Sequence, residues 1–201
     1  MTISILIAED QSMLLGAIAT LLDLESDFKV VAQSKDGESA LQSAQEHKPD
    51  IILTDIEMPK MSGLELAAKI KSELPSTKVI ILTTFSRAGY LRRAMDAGVK
   101  GYLLKDSPSD ELAEAIRKVM NGKKVIDPEL ITDAWDAEDP LTERERKALK
   151  LATDGLTTEA IAEQMHLSPG TVRNYLSNAA SKLNASNRIE AARIARQKGW
   201  L

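Results

Sequence analysis

Apolar positions in the first 120 residues fall into short clusters of two alternating kinds. Residues 3–8, 28–33, 51–55, 78–83 and 100–104 are nearly continuous apolar runs rich in β-branched side chains, recurring at about 25-residue intervals. Between them, over 11–24, 37–47, 63–74, 88–97 and 108–121, the apolar residues follow helical spacing. This βα alternation predicts a parallel sheet covered by helices. The last helix has clear punctuation: Ser107 fits the N-cap, Pro108 the first helical position and Gly122 the stop.

The periodicity lapses over 123–140, where Asp136, Glu138, Asp139 and Pro140 mark a linker. Beyond it the pattern is wholly helical. Thr142 and Glu145 form a capping box and Gly155 closes that helix, with further helices over 158–165, 169–183 and 188–198. The expected organisation is a domain over 1–122, a linker over 123–140 and a small all-α domain over 141–201.

Composition narrows the chemistry. At 201 residues and 43% hydrophobic, the chain can fill two small cores. Without cysteine it has neither disulfides nor thiolate chemistry, and His47 and His166 alone cannot build a zinc site. The apolar stretch 13–22 is too short to span a bilayer and no basic segment precedes it, so a soluble, unprocessed, cytoplasmic chain is expected, without membrane insertion. The net charge of -4 conceals opposite halves: residues 1–140 carry 16 Lys+Arg against 24 Asp+Glu, and 141–201 carry 10 against 6. Different partners are implied.

In a doubly wound α/β domain, ligands bind at the carboxyl ends of the strands. Those ends carry Glu9 and Asp10 after the first run, Asp55 after the third, Thr83 at the close of the fourth and Lys105 after the fifth. Singly, each has an ordinary explanation: acids favour a helix N-terminus, threonine packs in strands, and lysine is solvated. Together they describe a phosphoryl-acceptor site. Three clustered carboxylates call for a cation, and hard oxygen donors suit Mg²⁺. Asp55 is then a carboxylate nucleophile, with Lys105 and the Thr83 hydroxyl stabilising the transferring oxygens.

Glu9-Asp10, Asp55 followed by Met58-Pro59, Thr83, and Gly101-Tyr102-Leu103-Leu104-Lys105 resemble the receiver domain of two-component response regulators. The resemblance implies a flavodoxin-like doubly wound five-stranded parallel sheet in the order 2-1-3-4-5. It implies phosphorylation of Asp55 by a cognate sensor histidine kinase, and Mg²⁺ held by Glu9, Asp10, Asp55 and the main-chain carbonyl of Glu57. Thr83 and Tyr102 become the switch pair, Tyr102 rotating into space vacated by Thr83, and Lys105 the phosphoryl contact. Such a receiver modifies itself and turns over no external substrate. Glu57 and Phe85, each two residues beyond a site residue, are expected to set the phosphate's lifetime. Phe85 would shield it, and Glu57 would order or obstruct an attacking water.

The segments 158–165 and 169–183, joined by His166-Leu167-Ser168, have helix-turn-helix proportions. Val172, Leu176, Ala180 and Leu183 form the apolar face of the second. Opposite stand Arg173, Asn174 and Ser177, suited to base edges, while Thr171, Tyr175 and Lys182 suit phosphates. A helical bundle with a merely solvated polar face accounts for the same pattern. Leu141-Thr142, Arg144-Glu145, Gly155, Ile161-Ala162, Leu167-Ser168, Thr171-Val172-Arg173 and Lys182-Leu183 resemble the LuxR-type DNA-binding domain. Receiver and module together are the arrangement of NarL/FixJ response regulators. That implies double-stranded operator DNA as ligand, a homodimer on phosphorylation and transcription control, with RNA polymerase an open further contact. Two rival readings are a Mg²⁺-dependent phosphotransferase or phosphatase that uses Glu57 as acid and base, and an assembly module independent of phosphate.

Overall fold

The computed structural model describes residues 2–84, 88–134 and 139–201. The chain divides into two compact units, one built on a sheet and reaching residue 132, the other on the C-terminal helices.

In the first unit, strands β1 (Ile3–Ala8), β2 (Phe28–Ser34), β3 (Ile51–Asp55), β4 (Lys78–Thr83) and β5 (Gly101–Leu104) alternate with helices α1 (Ser12–Asp23), α2 (Gly37–His47), α3 (Gly63–Glu73), α4 (Ala88–Asp96) and α5 (Ser109–Met120). All strand pairs are parallel, and the order is β2-β1-β3-β4-β5 with one further short strand beside β5. The expected order therefore holds, but among the described residues there are six strands rather than five. The sixth, β6 (Val125–Ile126), comes from the segment read as linker and pairs with the open edge of β5. Its two residues are too short a run for alternation to reveal them; pairing with an edge that would otherwise stay open accounts for the strand. A short helix, α6 (Pro128–Ala134), follows.

Central β3 is apolar on both faces, with Ile51, Ile52 and Leu53 fully buried. Burying each such side chain is worth about 1.5–3 kcal/mol. Its start is pinned to β1: the Asp50 carboxylate accepts from the Ser4 main-chain N–H at 2.8 Å and its hydroxyl at 2.6 Å. These bonds, the hydroxyl's first, hold the Asp50 carboxyl below its usual range. On α5 the expected cap moves by one residue. Pro108 takes the N-cap with extended ψ 145, and Ser107 makes no cap because the chain turns helical only after the proline.

The second unit consists of α7 (Glu143–Thr153), α8 (Thr158–Met165), α9 (Pro169–Lys182) and α10 (Arg188–Gln197). Its core gathers Leu149, Ile161, Val172, Leu176, Ala179, Leu183 and Ala195. Ala179, fully buried, takes the place expected of Ala180, which is only half-buried. The Thr142–Glu145 capping box forms, and Gly155, at φ 86, follows α7 in the left-handed conformation. His166 is also left-handed, at φ 55, and Ser168 caps α9 with Pro169 in its first turn.

Candidate functional site: an acidic pocket and a helix-turn-helix

The carboxyl ends of β1, β3, β4 and β5 lie side by side because the strands are neighbours in that order, and the residues following them converge. Ligand atoms of Glu9, Asp10 and Asp55 lie within 4.8 Å of one another. Glu9 is buried at 1% exposure, Asp55 is half-buried and Asp10 is exposed, so the cluster opens to solvent on one side. Lys105 closes the other. Its ammonium is 2.7 Å from Glu9 Oε2 and 3.0 Å from Asp55 Oδ2, and all three side chains are largely enclosed.

Burial raises the carboxyl pKa of both Glu9 and Asp55, and for Glu9 the charge of Asp55 raises it further. The Lys105 ammonium works against both rises. Burial opposes its own charge, yet the two carboxylates hold the Lys105 pKa above the ordinary lysine value. The pocket thus places one fixed cation among three acids and leaves the acids incompletely compensated. Hard oxygen donors this close suit a small divalent cation of the Mg²⁺ kind, which keeps several of its own waters.

Asp55 is held from behind. Its Oδ1 accepts from the Ile56 main-chain N–H at 2.6 Å, and its carbonyl accepts from the Thr54 hydroxyl at 2.9 Å. Gly63, opening α3, donates its N–H to the Ile56 carbonyl at 2.9 Å. A Cβ on Gly63 would stand 1.9 Å from the Asp55 carbonyl oxygen, so only glycine fits beneath Asp55. Sequence reasoning passed over Gly63, although a glycine shortly after a strand end signals this kind of close approach.

Thr83 is buried at the end of β4, and its carbonyl accepts from the Lys105 N–H at 2.8 Å. Tyr102 on β5 is enclosed at 1% exposure, so the expected rotation has this buried position as one of its two ends. Glu57 is exposed in the loop after β3. Phe85 lies outside the described residues.

On the helical unit, Arg173, Asn174 and Ser177 are exposed along one side of α9, while Val172 and Leu176 face the core. Among the described residues, the Arg173 guanidinium makes a long contact, 3.9 Å, to Glu159. Thr171 joins the helix cap, its hydroxyl 2.9 Å from that of Ser168. The Tyr175 hydroxyl accepts from Arg144 at 3.2 Å, which brings a cation of α7 to this surface. Arg144 stands in the LuxR-like motif, and its place on this surface depends on a tyrosine 31 residues away, which local spacing does not reveal. Lys182 gives its ammonium to the buried Glu145 at 2.8 Å, so its nearest anion is inside the domain.

Residues 5–117 match the response regulator receiver domain, and residues 139–195 match the luxR family of bacterial regulatory proteins. The transcriptional regulatory protein DesR of Bacillus subtilis (strain 168) is 52% identical over 198 residues, covering 98% of each chain. The chain is a response regulator.

Within that family the uncharacterized transcriptional regulatory protein YvfU, also of Bacillus subtilis (strain 168), is 52% identical over 99% of this chain and all of its own. Among solved structures, a DNA-binding response regulator of the LuxR family from Staphylococcus aureus is 43% identical, with a TM-score of 0.58, covering 59% of this regulator and 99% of itself. The acidic pocket lies in the part of the regulator matched by the receiver family, and α7 to α9 with most of α10 in the part matched by the luxR family. No helix among the regulator's described residues is long and apolar enough to cross a membrane.

Proposed function

We propose that this response regulator accepts a phosphoryl group on Asp55 from a sensor histidine kinase and, once modified, binds operator DNA as a homodimer to control transcription. The observation that carries the reading is the approach of Lys105 to both Glu9 and Asp55 inside a family receiver. An Asp55 carboxylate oxygen attacks phosphorus, the P–N bond of the donor phosphohistidine breaks, and the imidazole leaves with the bond's electron pair. Lys105 then exchanges its carboxylate contact for a phosphoryl oxygen, and the Thr83 hydroxyl donates to another. Glu9, Asp10, Asp55 and the Glu57 carbonyl would hold Mg²⁺, which supplies neutralising charge at the transferring oxygens.

The receiver reading applies over 1–122, with 141–201 as the DNA-binding domain and 123–140 as a connector whose first part is taken up by β6. Arg173, Asn174 and Ser177 would meet base edges, and Thr171 and Tyr175 phosphates, with Arg144 beside Tyr175 adding a charge. Lys182 acts chiefly on α9 itself, fixing its end to Glu145. One small helix-turn-helix reads few base pairs, so pairing on two half-sites is the natural control point. The regulator would work in the cytoplasm, where kinase and DNA are both accessible.

Incubation with acetyl phosphate and Mg²⁺ tests the assignment of Asp55. The parent is expected to gain one phosphoryl mass, mapped to the peptide containing Asp55, and Asp55→Ala to gain none. A gain of equal size in Asp55→Ala would reject it. Sustained phosphate release from small phosphomonoesters would instead favour an enzyme.

A further inference from the structure

The segment after α5 lies against the strand that carries the switch aromatic. In the β5–β6 pair, Gly101 stands opposite Val125 and Tyr102 opposite Ile126; across β4, Tyr102 stands opposite Ile81. Residues in register on parallel strands project to the same face. Tyr102 therefore has Ile81 and Ile126 as its two lateral neighbours. Ile81 belongs to the fixed centre of the sheet, fully buried, whereas Ile126 is half-buried on a two-residue strand.

That strand is a short attachment. The Val125 N–H donates to the Lys100 carbonyl and the Asp127 N–H to the carbonyl of Tyr102 itself, each at 3.0 Å. Val125 also packs against the core of the sheet, and Leu130, 2% exposed, anchors the turn that follows. A groove of about 270 Å³ runs beside the segment, lined by apolar Leu103, Leu112 and Val125 and by polar Ser107, Glu111 and Lys118. A two-residue strand at the sheet edge, half-buried at both positions, is the kind of element that opens locally before its domain unfolds.

We propose that Ile126 is a positioning residue for Tyr102, and that residues 125–130 form a strap whose attachment to β5 keeps the Tyr102 ring enclosed. The inference rests on the reading of Tyr102 as the switch partner of Thr83. The ring cannot swing toward the β5 edge without displacing Ile126, and the Tyr102 carbonyl holds the strap by accepting from the Asp127 N–H. Ring position and strap attachment are thus two readings of one equilibrium. Coupling is reciprocal: whatever favours the enclosed ring tightens the strap, and loss of the strap frees the ring by the same factor. Phosphorylation that favours the enclosed ring would withdraw residues 125–130 from the free connector.

The full chain, labelled with 3-fluorotyrosine, provides the test. ¹⁹F resonances report Tyr102, and amide hydrogen exchange reports Val125 and Asp127, in the parent, Ile126→Ala and Ile126→Val, with and without acetyl phosphate and Mg²⁺. In the parent, phosphorylation is expected to slow exchange at both amides by about fivefold or more. Ile126→Ala is expected to accelerate exchange there and shift the Tyr102 resonance toward its solvent-exposed position, and Ile126→Val to restore both. A full gain of phosphoryl mass with unchanged exchange at Val125 and Asp127 overturns the strap and leaves the Asp55 reading intact. Absence of the mass gain overturns the Asp55 reading, and the strap then stands or falls with Ile126→Ala: an unmoved Tyr102 resonance overturns it.

Discussion

The Lys105 ammonium lies 3.0 Å from the Asp55 carboxylate, although the two residues come from strands separated by β4. The same ammonium is 2.7 Å from Glu9, so one cation ties together the ends of three strands. Removing it leaves two enclosed carboxylates facing each other. Lys105→Met is expected to slow phosphorylation by acetyl phosphate by about 10²–10³-fold, the usual cost of losing one stabiliser of transition-state charge. A time course of intact mass checks this.

Gly63 makes a sharper structural prediction. In Gly63→Ala the new methyl meets the Asp55 carbonyl at 1.9 Å, and neither β3 nor the capped start of α3 can give way freely. A loss of about 1–3 kcal/mol of stability is expected, as for overpacked cores. Mg²⁺ titration should also show weakened binding, because the carbonyl that must move belongs to Asp55, one of the proposed Mg²⁺ ligands.

In the helical domain the buried Glu145 carboxylate is shaped by opposing effects. Burial pushes its pKa up, but the Lys182 ammonium and the Thr142 N–H outweigh it and hold the group below the ordinary 4.5. A depressed carboxyl contributes stability above its unfolded value, and that contribution disappears as pH falls through the folded value, below 4.5. Urea unfolding of residues 139–201 from pH 7 down to pH 3 should show this acid limb. In Glu145→Gln the limb should flatten, with about 1–3 kcal/mol lost at pH 7.

DNA binding separates dimer control from masking. If pairing is the control, the isolated 141–201 fragment binds a selected operator more weakly than the full chain; if the receiver masks α9, the fragment binds more tightly than the full chain. Arg173→Ala should cost about 1–3 kcal/mol on the selected operator and relax preference at one base position. Competition binding against point-substituted operators measures both.

Much of this was legible in the sequence because the signals were local and repeated. Five apolar runs at even spacing set the sheet, and the residue after each run is carried to one edge by topology alone. The capping box at Thr142 and the stops at Gly122 and Gly155 are single-turn chemistry, and they form as expected. What stayed hidden depends on partners distant in sequence. Val125–Ile126 is a strand only because the edge of β5 is open beside it. The engagement of Lys182 follows from a buried glutamate 37 residues away, and the role of Gly63 from a carbonyl on another element. The shift from Ser107 to Pro108 shows how a proline ψ decides a cap that residue preference alone assigned one position early.

Operator affinity, measured for the parent and Asp55→Ala with and without acetyl phosphate and Mg²⁺, tests the central claim most directly. The account predicts that phosphodonor and metal raise the affinity of the parent about fivefold or more and double its solution mass, while Asp55→Ala responds in neither respect. Equal affinity for the modified and unmodified parent, or an equal rise in Asp55→Ala, would contradict it.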